Sequence, residues 1–297
     1  MTTSTTGTAA QRIRTFTNES LTFDVLDEGP VAGAAVVLLH GFPERASHWD
    51  AVAGLLHAHG LRTLAPDQRG YSPGARPRGR ASYRMSRLVG DTLALVERYG
   101  APVHLVGHDW GAAVAWATAA ARPDLVRTLT TVSVPHPAAF ARSLMTSTQA
   151  LRSWYILAFQ PPGLIEGLAR TAPGALTTFL RRAGLTDAEA AQFQREIIDY
   201  GALPGALGWY RALPFSTPSA PGPVRVPTTH VWSDGDLALA RRGAELTADQ
   251  VHAPYQLRVL EGVSHWIPTQ APGRLADAII DRIDAALSGA GATHSRE

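Results

Sequence analysis

The 297-residue chain contains no cysteine. Disulfides, thiolate metal sites and a cysteine nucleophile are therefore excluded. It contains no lysine either: all 27 basic side chains are arginine, which rules out a Schiff-base mechanism. The formal charge of +2 is too small to ask for a polyanionic partner. No uninterrupted apolar run approaches the roughly 20 residues that span a bilayer. The first residues, Met1-Thr2-Thr3-Ser4-Thr5, lack the basic and apolar regions of a secretory signal, so a cytoplasmic location is expected. No pair of histidines has a ligand spacing such as His-Glu-x-x-His, and neither a metal nor a cofactor is invoked. The basic stretch of Arg69, Arg76, Arg78, Arg80, Arg84 and Arg87 has little aromatic interleaving. It reads as a solvated loop and not as a nucleic-acid site.

What remains is an apolar chain with a clear rhythm. Residues 1–10 and Ser288 to Glu297 are small and polar and are expected to be disordered. Arg12 to Thr17 and Leu21 to Leu26 alternate like two antiparallel strands. From Ala34 apolar runs alternate with helical segments. Strands are expected at Ala35 to Leu39, Leu61 to Ala65, Val103 to Val106 and Val126 to Val134. Helices are expected at Ser47 to Ala58, Met85 to Tyr99 and Gly111 to Ala121. The rhythm breaks at residues 137–222, which are helical in pattern, with Pro135 and Pro137 at the entry and Pro214, Pro218, Pro221 and Pro223 at the exit. It resumes with strands at Thr228 to Trp232 and Tyr255 to Leu260 and a closing helix from Leu275 to Leu287. The prediction is an α/β fold: a mostly parallel sheet with helices on both faces, built from residues 1–136 and 223–297, with a helical cap inserted at 137–222.

The most informative stretch is Gly107-His108-Asp109-Trp110-Gly111, between an apolar run and an Ala-rich run. Strand, tight turn flanked by small residues, then helix is the nucleophile-elbow pattern. Its apex is Asp109, where serine is common. Serine attacking a saturated carbon would form an ether, which water cannot easily cleave. A carboxylate forms an ester, which it can. The elbow therefore points to displacement at an sp³ carbon bearing a leaving group, as in an epoxide or an alkyl halide.

Three further segments sit at strand ends. His40-Gly41-Phe42-Pro43-Glu44 provides a tight turn whose Phe42 amide, with that of Trp110, can face a developing oxyanion. Trp232-Ser233-Asp234-Gly235-Asp236 offers an acid, either Asp234 or Asp236. Gly262-Val263-Ser264-His265-Trp266 supplies a histidine. The order nucleophile, acid, histidine is that of α/β-hydrolases. His40 and His108 read as braces of the oxyanion turn and the elbow, and His136 as a structural residue at the cap entry.

From about residue 12 to residue 287 the chain resembles the α/β-hydrolase superfamily, and within it the epoxide hydrolases. The resemblance rests on the segments already quoted at 40–44 and 107–111, on Asp67-Gln68-Arg69-Gly70-Tyr71-Ser72 and on Ser133-Val134-Pro135-His136-Pro137. In the cap, Trp154-Tyr155-Ile156-Leu157-Ala158-Phe159-Gln160 and Trp209-Tyr210-Arg211 resemble the segments carrying that family's two epoxide-binding tyrosines. The resemblance implies that Tyr155 and Tyr210 hold and protonate the epoxide oxygen, with Tyr200 a competing cap tyrosine. It also implies that Asp236 is the acid, although Ser233 stands where a glycine is common.

The expected reaction is cofactor-free hydrolysis of an apolar or aromatic epoxide to a vicinal diol, through an ester on Asp109. Trp110, Trp154, Phe159, Trp209, Phe215 and Trp266 are candidates for an apolar wall. The expected partners are a small apolar substrate and water, with no nucleic acid and no membrane, for a monomer or homodimer. The same Asp109, His265 and Asp236 would also serve a haloalkane or haloacid dehalogenase. A receptor of this fold that binds without turnover is the reading of another class.

Overall fold

The computed structural model describes residues 11–216 and 221–293. The expected disorder of residues 1–10 and the segment 217–220 of the cap exit, Pro218 included, lie outside the described residues, as do residues 294–297.

Eight strands form one sheet in the order β1-β2-β4-β3-β5-β6-β7-β8. They are β1 (Thr15–Asn18), β2 (Leu21–Glu28), β3 (Ala35–Leu39), β4 (Arg62–Pro66), β5 (Val103–His108), β6 (Val126–Val132), β7 (Thr228–Ser233) and β8 (Tyr255–Leu260). Strands β1, β2 and β4 pair antiparallel and all other neighbours parallel. The alternating burial of β2 fits a strand with one solvated face. β3, β4, β5 and β7 are buried along their whole length, as strands covered on both sides must be.

Helices cover both faces. On one side α1 (Asp50–Ala58) and the last helix pack over Val36, Leu38 and Val231. On the other, α2 (Met85–Tyr99) and α3 (Trp110–Ala121) join a core that runs continuously into the cap. Between β6 and β7 the chain from Pro137 to Arg211 is built of helices: α4 (Pro137–Thr146), α5 (Gln149–Arg152), α6 (Trp154–Ala158), α7 (Leu164–Thr171), α8 (Pro173–Arg182), α9 (Asp187–Phe193) and α10 (Leu203–Arg211). After β7 come α11 (Arg241–Leu246), α12 (Ile267–Gln270) and α13 (Pro272–Thr293). Among the described residues no helix is long and apolar enough to cross a membrane.

Three expectations need correction. β6 stops at Val132, not Val134, because Ser133 has φ +66° and turns the chain out of the sheet. The final helix runs on to Thr293, through part of the tail expected to be disordered from Ser288. The extension Ser288-Gly289-Ala290-Gly291-Ala292-Thr293 carries two glycines at about 1 kcal/mol each, but lengthening an established helix needs no new nucleus. Arg69 is not a solvated loop residue. It is 2% exposed, and its Nε and Nη2 each donate to one oxygen of Asp91 at 2.7 Å.

Strand order fixes where chemistry can occur. β3 and β5 are neighbours, with Leu39 opposite Gly107. β7 and β8 are neighbours, with Ser233 opposite Leu260. The four chemically distinctive segments therefore leave the same carboxyl edge of the sheet, where ligands bind in open α/β sheets.

Candidate active site

Asp109 sits alone between β5 and α3 at φ 50° and ψ −121°. A non-glycine residue holds such a conformation at a cost of about 1–3 kcal/mol. Close approach of its neighbours makes it possible. A Cβ on Gly111 would lie 2.1 Å from the Leu39 carbonyl oxygen, and one on Gly41 would lie 2.4 Å from the Asp109 Cβ. The strained turn holds the carboxylate against the loop after β3. There the Phe42 amide donates to its Oδ1 at 2.8 Å. The Trp110 amide, the other expected oxyanion donor, opens α3. Among the described residues it makes no hydrogen bond to the carboxylate in this resting geometry.

His265 leaves the loop after β8. Its Nδ1 lies 2.7 Å from Asp236 Oδ2, and its Nε2 lies 3.5 Å from Asp109 Oδ2. The other Asp236 oxygen accepts the amides of Ala238 and Leu239, each at 2.8 Å. Asp234, the alternative acid, is exposed and accepts the Gly262 amide instead. Ser233, at the position where glycine is common, donates to the Ser264 carbonyl at 2.7 Å and so ties the acid strand to the histidine loop.

Burial favours a neutral imidazole, but the Asp236 charge and the Asp109 carboxylate raise the His265 pKa well above its ordinary value. Burial likewise opposes ionisation of Asp109. The His265 contact, the positive side of His108 and the Phe42 amide outweigh it, and the pKa of Asp109 falls below the usual carboxylate value. The resting site is therefore an ion pair of Asp109 and His265.

Beneath it lies an arrangement that the sequence did not announce. Glu44 bridges two imidazoles, with Oε1 2.8 Å from His48 Nδ1 and Oε2 3.1 Å from His108 Nδ1. Burial opposes its charge, but the two rings hold its pKa well below the usual range. These three residues place one ligand atom each within 4.8 Å of the others, a spacing that a metal ion can use. Hydrogen bonding accounts for the same geometry. Glu44 and His48 are four residues apart, but His108 comes from another strand end, so no local spacing revealed the group. His108 Nε2 reaches the His265 carbonyl at 3.0 Å, as does Ser133 Oγ. His40 Nε2 accepts the Gln68 amide, and His136 Nδ1 accepts the Ala138 amide at the start of α4. All three act on backbone, as braces do.

Above the carboxylate is a cavity of about 440 Å³, lined by Asp109, His265, Phe42, Tyr155, Tyr210 and mostly apolar side chains. The two phenol rings lie 6.1 Å apart at 76°. Burial pushes both hydroxyl pKa values upward, and the Asp109 charge adds to the shift, so both phenols are protonated at neutral pH. Tyr200 lies elsewhere, with the Arg45 guanidinium over its ring at 3.7 Å.

Of the expected wall, Trp154, Phe159 and Trp266 line the cavity, whereas Trp209 and Phe215 do not. Trp209 and Tyr210 are consecutive on α10, about 100° of helical rotation apart; both pack edge-on to the Trp110 ring, but only Tyr210 is turned to the cavity. Trp209 instead donates its indole N–H to the Arg69 carbonyl at 2.7 Å. Phe215 lies past the end of α10 and is 53% exposed. The Trp110 ring stands behind the wall, edge-on to Tyr210 at 5.1 Å. Phe179, Leu180 and Leu237 add to the apolar lining, and Arg152 and Arg182 reach its edge. No sequence motif singled the apolar ones out, because an apolar residue on a helix or loop looks the same whether it meets core or cavity.

The chain matches the model of the alpha/beta hydrolase family over residues 36–278. It is 33% identical to the AB hydrolase superfamily protein YfhM of Bacillus subtilis (strain 168), over 88% of this chain and 94% of that protein. It is 32% identical to epoxide hydrolase 2 of Caenorhabditis elegans, over 83% of this chain and 73% of that protein. A solved epoxide hydrolase structure of the same superfamily, from metagenomes of hot environments, superposes with a TM-score of 0.80 at 29% identity, covering 92% of this chain and 98% of that one.

Proposed function

The chain belongs to the alpha/beta hydrolase family and within it to the epoxide hydrolases, and from that premise we propose that it opens apolar or aromatic epoxides to vicinal diols through a covalent ester on Asp109. The observation that carries the proposal is a single cavity containing a carboxylate, two protonated phenols and a carboxylate-paired histidine. In this reading residues 137–222 are the cap, which supplies the phenols, and the rest of the chain supplies the triad.

Because Oδ1 of Asp109 is engaged by Phe42, Oδ2 is the attacking oxygen. The Oδ2–carbon bond forms as the ring C–O bond breaks. The departing alkoxide takes a proton from Tyr155 or Tyr210, help worth about 10²–10⁴ in rate. Ester formation also removes the charge of Asp109, one of the two anions that hold the proton on His265. The phenolate then takes up that proton, directly or through water, and the phenol is restored. Neutral His265, held by Asp236, next deprotonates a water, which attacks Cγ of Asp109. The tetrahedral oxyanion develops on Oδ1, already on the Phe42 amide, with the Trp110 amide as the second donor it would recruit. Its collapse breaks the Cγ–Oδ2 bond; the departing oxygen takes the proton of the His265 imidazolium and leaves as a hydroxyl of the diol, and the new Asp109 carboxylic acid returns a proton to His265.

The apolar lining favours an apolar substrate. The test is diol formation from styrene oxide and 1,2-epoxyhexane, with halide release from 1-chlorohexane measured in parallel. Diol without halide supports the proposal. Halide without diol gives the site to a dehalogenase, and tight binding with neither product to a receptor.

A further inference from the structure

The acid loop is held by the cap as well as by the core. Gln149, on α5, is 1% exposed. Its Nε2 donates to the Ala238 carbonyl at 2.8 Å, and its Oε1 accepts the Ala240 amide at 2.7 Å. Three residues along, Arg152 donates from Nη1 to the carbonyl of Asp236 itself at 2.7 Å. The loop gripped in this way is the one whose Ala238 and Leu239 amides fix Asp236 Oδ1, leaving Oδ2 for His265. Gln149 therefore satisfies two backbone groups, the Ala238 carbonyl and the Ala240 amide, in the stretch just after Asp236 that orients the acid. Tyr155 begins one turn beyond Arg152, on α6.

We propose that Gln149, assisted by Arg152, is a positioning residue for the ester-hydrolysis step: it latches the cap to the Asp236 loop and so sets how Asp236 holds His265. The inference rests on the reading of Asp236 and His265 given above. It adds that the cap segment leading to Tyr155 also governs the second half-reaction. A glutamine amide suits the task because it donates and accepts at once.

The charged and titratable groups nearest His265 are Asp109 from the elbow, Asp236 from the acid loop and His108, whose ring centre is 5.0 Å away, and from the helices across the shared cavity Arg152, Tyr155, Arg182 and Tyr210. In the ester, Asp109 is neutral, so Asp236 becomes the main group favouring the imidazolium. Loosening Asp236 then has a defined signature. The His265 pKa falls, the rising limb of ester hydrolysis moves to lower pH, and the plateau rate drops because the base is weaker and less well aimed.

The experiment uses single-turnover kinetics with styrene oxide, following tryptophan fluorescence for ester formation and chromatography for diol, across pH. The full-length wild type is compared with Gln149→Leu and Gln149→Glu. The glutamate keeps the acceptor but loses the donor, and it serves if the leucine variant does not fold. For Gln149→Leu the expected result is ester hydrolysis slowed about tenfold or more, ester formation changed by no more than about threefold, and the midpoint moved to lower pH. Gln149→Glu should fall between the two in plateau rate. Equal slowing of both half-reactions with an unmoved midpoint overturns the proposal and leaves Gln149 as cap packing. Absence of ester in the wild type instead overturns the covalent reading on which it stands.

Discussion

Phe42 and Asp109 are joined before any substrate arrives: the amide of the first donates to Oδ1 of the second at 2.8 Å. In the proposed mechanism this donor thus already holds, in the resting enzyme, the atom that would carry negative charge in the tetrahedral intermediate. A preorganised donor of this kind needs no rearrangement when the charge develops, which is where its catalytic value lies. The same bond divides the two carboxylate oxygens by role.

Gly41 makes that contact possible, so Gly41→Ala should be a severe variant. The added Cβ would meet the Asp109 Cβ at 2.4 Å and its Oδ1 at 2.7 Å. The carboxylate must then move off the Phe42 amide, and kcat should fall by about 10²-fold or more, the usual effect of losing an oxyanion donor. Steady-state kinetics together with a folding check by circular dichroism decides this. A folded variant with near-wild-type kcat would contradict the arrangement.

The tyrosine pair should govern the first half-reaction. Tyr155→Phe and Tyr210→Phe should each slow ester formation by about tenfold or more, and the double variant should nearly abolish it. Because burial raises both phenol pKa values, no alkaline loss from their ionisation should appear below about pH 10. Stopped-flow alkylation rates across pH test both statements. Unchanged rates in both single variants would move the acid elsewhere.

His265 should govern the second half-reaction. His265→Gln should still be alkylated, and intact-protein mass spectrometry should show an adduct of one substrate mass. In the wild type, ester hydrolysis needs neutral imidazole, so its rate should rise with pH through a His265 pKa that Asp236 has raised. Asp236→Asn removes that anion. It should move the limb to lower pH and cut the plateau about 10²-fold or more. A limb shifted to higher pH, or no adduct with bound substrate, would remove His265 from this role.

A stability prediction concerns the far side of the fold. Asp27 is fully buried, and it accepts Arg62 Nε at 2.8 Å and the Ile13 amide at 2.6 Å. Burial alone would raise its pKa, but the Arg62 hydrogen bonds outweigh this and lower it. The pair's contribution is therefore complete above about pH 4 and is lost as pH falls through the depressed folded value. Asp27→Asn removes the compensating anion from the buried Arg62 guanidinium, leaving it neutral acceptors such as the Gln11 and Val31 carbonyls, and should cost about 3–5 kcal/mol at pH 7. Urea titrations should show the gap between wild type and variant closing below about pH 4. A gap that stays constant to pH 3 would contradict the assignment.

Legibility in the sequence followed the range of the physics. The runs Ala35 to Leu39, Met85 to Tyr99 and Tyr255 to Leu260 form elements with those same bounds, because local periodicity dictates them. The elbow was legible because Gly107, Asp109 and Gly111 meet one strict steric demand within five residues. Between Asp234 and Asp236 the residues alone left both open and only the family resemblance chose Asp236: both sit in one turn, and it is the distant His265 loop that meets one of them, Asp236. Glu44, His48 and His108 were missed as a group, and so was Gln149, because their partners lie far away in sequence. Trp209 was misplaced because an aromatic pair on a helix says nothing about which member faces the cavity.

The central claim is that water attacks the enzyme and not the substrate. A single turnover of wild-type enzyme, in molar excess over styrene oxide, in ¹⁸O-labelled water tests it most directly. The account predicts an unlabelled first diol, whose new oxygen is Oδ2 of Asp109, and one heavy oxygen in the peptide that carries Asp109. Label in that first diol, with an unlabelled Asp109 peptide, would contradict it and assign the chemistry to direct attack by water on the ring carbon.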